Sequence, residues 1–163
     1  MTTLKTAAVL AALASSSISL LGASSGNAAV LSVGPSNAPY GAYQCADVRN
    51  GSLTNLTPIQ AYDCHAGGNQ QYQLIYTGGV GMTIYALGAQ RCVDVTGAGK
   101  AAGTLVESYP CNGTVAQKWY YWQGELYNPN SGMCLDAGNI ANGTQLRIEP
   151  CNVSKSSQNW QIK

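Results

Sequence analysis

Few side chains in this 163-residue chain are able to do chemistry: seven Asp and Glu, eight Lys and Arg, one histidine and six cysteines. No nucleophilic constellation can be assembled from them. Gly-x-Ser-x-Gly is absent, and His65 has no partner thiol if the cysteines are paired, so it reads as a surface loop residue. Glycoside hydrolysis would need two carboxylates at a set separation, yet three of the seven acids are tied to a recurring position. Asp47, Asp94 and Asp136 each stand two residues after a cysteine, at Cys45, Cys92 and Cys134. Metal binding is disfavoured because no Cys-x-x-Cys occurs and His65 stands alone. The expectation is a protein that is not an enzyme and carries no cofactor. A carboxylate repeated in this way either accepts hydrogen bonds from a neutral polar partner or closes a tight turn on nearby amides.

The elements that must position these aspartates repeat with them. The cysteines recur in pairs separated by 19, 19 and 17 residues, each pair followed by Gln-x-aromatic. The first copy runs through Cys45-Ala46-Asp47-Val48, Gln60-Ala61-Tyr62-Asp63-Cys64 and Gln70-Gln71-Tyr72. The second has Cys92-Val93-Asp94-Val95, Gly103-Thr104-Leu105, Tyr109-Pro110-Cys111 and Gln117-Lys118-Trp119. The third has Cys134-Leu135-Asp136, Gly143-Thr144-Gln145-Leu146, Glu149-Pro150-Cys151 and Gln158-Asn159-Trp160. Short alternating runs such as Leu105 to Tyr109, punctuated by Gly, Asn and Ser, predict strands, and no long 3.6-residue apolar stripe follows the N-terminal segment. Three units, each unable to bury its apolar face alone, would close around a common axis into one all-β barrel.

Residues 1–28 are expected to be a secretory signal, with Lys5 before an Ala, Leu, Ser and Ile stretch and small residues at Gly26-Asn27-Ala28. Residues 29–39 are expected to form a short extension and 40–163 the repeat domain. Without Lys5 the remaining seven cations balance seven acids, which removes the electrostatic case for nucleic acid. No membrane span is expected, and an exported product with an even cysteine count implies disulfides. Six cysteines permit 15 connectivities. The economical choice repeats one pairing in each unit: Cys45 with Cys64, Cys92 with Cys111, Cys134 with Cys151. Five Asn-x-Ser/Thr patterns, at Asn50, Asn55, Asn112, Asn142 and Asn152, would be glycosylation acceptors in a eukaryotic secretory path.

Cys-x-Asp, Gly-Thr-x-Leu, Pro-Cys and Gln-x-Trp, in register over about residues 40–163, resemble the ricin B-chain lectin family, also called carbohydrate-binding module family 13. The resemblance implies a β-trefoil of twelve short strands. The first copy departs from the pattern, with Tyr72 in place of tryptophan and Thr57-Pro58 where Gly-Thr would stand.

The resemblance further implies one shallow sugar site per repeat, in which an aspartate accepts hydrogen bonds from adjacent hydroxyls and an aromatic ring packs on the apolar C–H face. Carried over by position, the first repeat is complete: Asp47 as acceptor, Gln60 beside it, Tyr62 as stacking ring, Asn69 as second polar contact and Gln70 in support. The second keeps Asp94 and Tyr109 but has Glu107 for Gln60 and Ala116 for Asn69. The third keeps Asp136 but has Arg147, Glu149 and Ser157, so it lacks the ring and is expected to be silent. The bland alternatives are that the three Gln-x-aromatic elements are core and that the aspartates are turn residues. The partner implied is a glycan of galactose or N-acetylgalactosamine type, or a wall polysaccharide. The alternative function is a protein-binding trefoil such as a secreted protease inhibitor, with an exposed loop at work.

Overall fold

The computed structural model describes residues 28–35, 43–65, 67–79 and 81–163. The expected signal segment lies almost wholly outside them. The described residues contain thirteen short strands and five single-turn 3₁₀ segments. The strands are β1 (Leu31–Val33), β2 (Gln44–Val48), β3 (Thr57–Asp63), β4 (Tyr72–Tyr76), β5 (Met82–Ala86), β6 (Arg91–Val95), β7 (Val106–Tyr109), β8 (Tyr120–Trp122), β9 (Glu125–Asn128), β10 (Met133–Asp136), β11 (Thr144–Gln145), β12 (Arg147–Glu149) and β13 (Trp160–Ile162). All their pairings are antiparallel.

One sheet runs β13-β1-β2-β3-β7-β6-β5-β4, with β11 on β3, and a second runs β12-β10-β9-β8. Long strands are not available to this sequence, because glycines and turn residues interrupt nearly every run, so the sheets curl and close rather than extend. Ala29 and Tyr72 exchange backbone hydrogen bonds of 2.7 and 2.8 Å, which ties the residue leading into β1 to the start of β4 at one end of the first sheet. Met82 and Trp119 do the same at 2.8 and 2.9 Å, and Trp160 N–H donates to Gly124 at 2.7 Å. The aromatic closing each repeat therefore ties it back to the chain at the start of that same repeat. β11 and β12 are separated only by Leu146 and are two halves of one bent strand, the first paired with β3 and the second with β10.

Residues 29–39, expected as an extension, contribute β1, whose Leu31 and Val33 are buried and which lies between β13 and β2.

The three-fold register is visible in the pairing. Asp47 lies opposite Gln60, Asp94 opposite Glu107 and Asp136 opposite Arg147. Along the axis, Ile59, Val106 and Leu146 form one buried layer, and Tyr72, Trp119 and Trp160 are equally enclosed. The same register corrects one reading of the first repeat. Leu56, not Thr57, is the counterpart of Gly103 and Gly143: their N–H groups donate to Ser108, Ile148 and Ala61 respectively, which are themselves equivalent positions. Thr57 thus matches Thr104 and Thr144, and the strand register of the first copy equals that of the others.

All three expected disulfides are present, Cys45–Cys64, Cys92–Cys111 and Cys134–Cys151, and no cysteine is free. Loops of this length are worth roughly 3 kcal/mol each in the chain-entropy account. Each bridge pins the strand carrying the repeat's aspartate to the chain leaving the strand opposite.

Candidate functional site

The first repeat assembles its site at the end of the β2–β3 pair. Strand alternation puts Asp47 and Cys45 on one face of β2, opposite Gln60 and Tyr62 on β3. The 3₁₀ turn Gly68–Gln70 then brings Asn69 and Gln70 over the same carboxylate. Gln60 Nε2 donates to Asp47 Oδ1 at 3.1 Å, and Asn69 Nδ2 and Gln70 Nε2 donate to Oδ2 at 2.7 and 3.0 Å. Tyr62 is 40% exposed and forms the outer wall, whereas Asp47 is only 2% exposed. The five residues singled out in this repeat are therefore brought together.

Their roles divide by burial. Gln70 is fully enclosed and works as a bolt: it accepts from His65 N–H at 2.8 Å and donates to Asp63 O at 2.9 Å as well as to Asp47. Gln117 repeats the pattern with Asn112, Pro110 and Asp94, and Gln158 with Asn152, Pro150 and Asp136. Each glutamine satisfies a turn N–H, a turn carbonyl and the repeat's carboxylate at once. The tryptophans add a further tie, since Trp119 Nε1 donates to Val93 O at 3.1 Å and Trp160 Nε1 to Leu135 O at 2.9 Å.

Two residues of the first site escaped the sequence reading. Arg49 Nε donates to Gln60 Oε1 at 2.9 Å, which fixes the amide so that its NH₂ faces Asp47. His65, read as a plain surface loop residue, places Nε2 3.3 Å from Asp47 Oδ2 and meets Tyr62 edge-on, the ring centroids 6.3 Å apart. Gly67 N–H donates to His65 Nδ1 at 3.0 Å, leaving Nε2 to carry the proton toward Asp47. A side chain at Gly67 would run into that ring, since a Cβ would lie 2.6 Å from His65 Cε1. His65 adjoins the cysteine of the first bridge, but nothing in the linear sequence shows that the loop folds back over Asp47.

The second repeat keeps the frame and changes the lining. Asp94 accepts from Gln117 at 2.8 Å, with Glu107 across the pair in place of Gln60. Burial pushes both carboxyls above their ordinary values, and Asp94 adds a further upward push on Glu107. Tyr109 borders a cavity of about 360 Å³ that also includes Leu56, Thr96 and Ala116. Ala116 stands where the first repeat has Asn69, so this repeat has no amide there.

The third repeat has spent its aspartate. Asp136 Oδ1 accepts from Gly138 N–H at 2.6 Å, and Oδ2 from Lys155 Nζ at 2.7 Å and Gln158 at 2.9 Å. Burial pushes this carboxyl upward, but the hydrogen bonds of Lys155, Gln158 and Gly138 and the Lys155 charge outweigh it and hold the carboxyl below its ordinary range. Glu125, Cys134 and Cys151 lie close together, but both cysteines are in a disulfide and supply no thiolate for a metal.

Comparison with known proteins agrees with this architecture. The family model for the ricin-type beta-trefoil lectin domain matches residues 38–160. Nigrin b of Sambucus nigra is 30% identical over 122 residues, covering 72% of this chain and 20% of the relative, so the chain spans about a fifth of that protein's length. The agglutinin from Abrus precatorius superposes with a TM-score of 0.65 at 26% identity, over 82% of this chain and 47% of that one. A ricin B-like lectin of Macrolepiota procera, solved with lactose, gives a TM-score of 0.67 at 19% identity, over 87% of this chain and 98% of that one. With the family model spanning all three copies, and each copy presenting the same strand pair, bridge and glutamine bolt, the chain belongs to the ricin-type β-trefoil lectin family, whose domain binds carbohydrate rather than catalysing a reaction.

Proposed function

We propose that the chain is a secreted lectin that engages galactose or N-acetylgalactosamine end groups, free or displayed on a wall polysaccharide, mainly through the first repeat. The observation that carries this reading is the Asp47 carboxylate, oriented by three amides and bordered by the exposed face of Tyr62. A sugar with an axial hydroxyl offers one broad apolar face for the tyrosine and a pair of adjacent hydroxyls for the acid and Asn69. His65 covers Asp47, so an entering hydroxyl takes the place of the imidazole N–H on Oδ2. His65 is half-exposed, so its imidazole has solvent on one side into which to give way. The second repeat, with Asp94 and Tyr109 but no amide at Ala116, contributes weaker binding. Three disulfides suit an oxidising, extracellular compartment. The lectin of Macrolepiota procera that shares this fold was solved with lactose, a galactose-terminated disaccharide, which supports the choice of probe.

The test is retention on immobilised lactose and elution with free galactose. Asp47→Ala and Tyr62→Ala are both expected to flow through while keeping the wild-type circular dichroism spectrum, Tyr62→Ala guarding against a folding defect at the buried acid. If folded wild-type protein also flows through, the galactose reading fails, and a glycan panel beside a protease-inhibition assay decides between another sugar and a protein-binding scaffold.

A further inference from the structure

The third repeat, which has lost the stacking ring, holds a concavity of about 490 Å³ whose lining includes Asp136, Gly138, Thr144, Arg147, Glu149 and Lys155. Arg147 occupies the position of Gln60 in the first repeat, directly across the strand pair from the aspartate. Gln60 donates to its aspartate, but Arg147 does not. Lys155 has already taken Asp136 Oδ2, and Gly138 has taken Oδ1. The Arg147 guanidinium lies over Gly138 so closely that a Cβ there would fall 2.5 Å from Nη2. Its Nε is buried with no hydrogen-bond partner, and the side chain makes no hydrogen bond or ion pair among the described residues. Glu149 is two residues along β12 on the same face, yet no ion pair joins it to Arg147.

A half-buried guanidinium with unspent donors, beside an acid whose charge is already compensated, suits a planar anion held by two parallel N–H···O bonds. We propose that the third repeat is a further binding site, selective for a sugar bearing a carboxylate, a uronic acid, with Arg147 pairing the carboxylate. The concavity is larger than a free carboxylate needs and occupies the place equivalent to the first repeat's site, which favours a sugar ring over a small free anion. Glu149 replaces the stacking tyrosine and opposes an incoming anion, so it limits the affinity. Lys155 acts by keeping Asp136 compensated, not by meeting the ligand.

This rests on the lectin reading but on a different repeat, and the experiment separates the two. Titration of the full chain, in an Asp47→Ala background, with methyl β-glucuronide, methyl β-glucoside and acetate is expected to show binding of the glucuronide alone, weakened at least about tenfold by Arg147→Gln. Glu149→Gln is expected to tighten it severalfold, a gain that a misfolded protein would not show. Arg147→Gln alone should keep whatever lactose retention the wild type has. Equal binding of glucuronide and glucoside, acetate binding as tightly as the glucuronide, no binding at all, or indifference to Arg147→Gln would each overturn the proposal, whatever the lactose column shows.

Discussion

At the scale of single residues, the closing aromatics show how one substitution changes a local account. Trp119 and Trp160 each use the indole N–H to satisfy a carbonyl of the strand bearing the repeat's aspartate. Tyr72 fills the same position in the first repeat, but its hydroxyl is buried without a partner. Burial and the nearby Asp47 charge raise the phenol far above its ordinary value, so it stays protonated. An enclosed hydroxyl with no acceptor costs about 1–3 kcal/mol relative to one that is satisfied. Tyr72→Phe is therefore expected to raise the unfolding free energy by about 1 kcal/mol, read from the urea midpoint at unchanged slope. An unchanged or lowered midpoint would mean that the hydroxyl is satisfied in solution. The departure from Gln-x-Trp is legible in the sequence, but its orphaned hydroxyl is not, because the missing acceptor belongs to packing around the barrel axis.

At the scale of the element, the turn entering β3 shows what the repeat pattern hides. Gly103 and Gly143 adopt φ of 82° and 83°, the left-handed region where glycine carries no Cβ penalty. Leu56 holds the equivalent place at φ 62° and is 59% exposed, so it carries the backbone strain with little burial to offset it. A branched residue in this conformation costs about 1–2 kcal/mol. Leu56→Gly is expected to stabilise the domain by up to about 1 kcal/mol, part of the relief being lost to the freer unfolded chain, and calorimetry should show a higher melting temperature. A lower one would show that the Leu56 side chain contributes packing worth more than the strain. Reading the sequence by residue type placed Thr57-Pro58 at the Gly-Thr position, because leucine does not look like glycine. The hydrogen bonds define the equivalence instead, and they shift it by one residue.

At the scale of the whole molecule, three repeats of one design carry three different electrostatic settings. Glu107 and Asp94 have raised folded values, so their contribution to stability is complete below their ordinary values and is lost as the pH rises through the folded ones. Asp136 has a lowered folded value, so its contribution is present above about 3.8 and is lost as the pH falls through the folded value. Glu107→Gln should leave stability nearly unchanged below about pH 4, where the wild-type acid is already neutral, and raise it at pH 7, as urea unfolding across that range would show. A variant curve parallel to wild type would mean that Glu107 is solvated. The sequence alone determines the three-fold all-β plan and makes one repeated pairing the economical choice of bridges, because repetition at fixed spacing leaves few ways for short strands to bury their apolar faces, whereas the Asp47 set comes only with the family resemblance. Tertiary structure alone decides that β1 belongs to the barrel, that His65 and Arg49 close on the first site, and that Lys155 rather than Arg147 compensates Asp136. Those outcomes depend on loops folding back across the register, and the path of a loop is set by the surface it meets, not by its own composition.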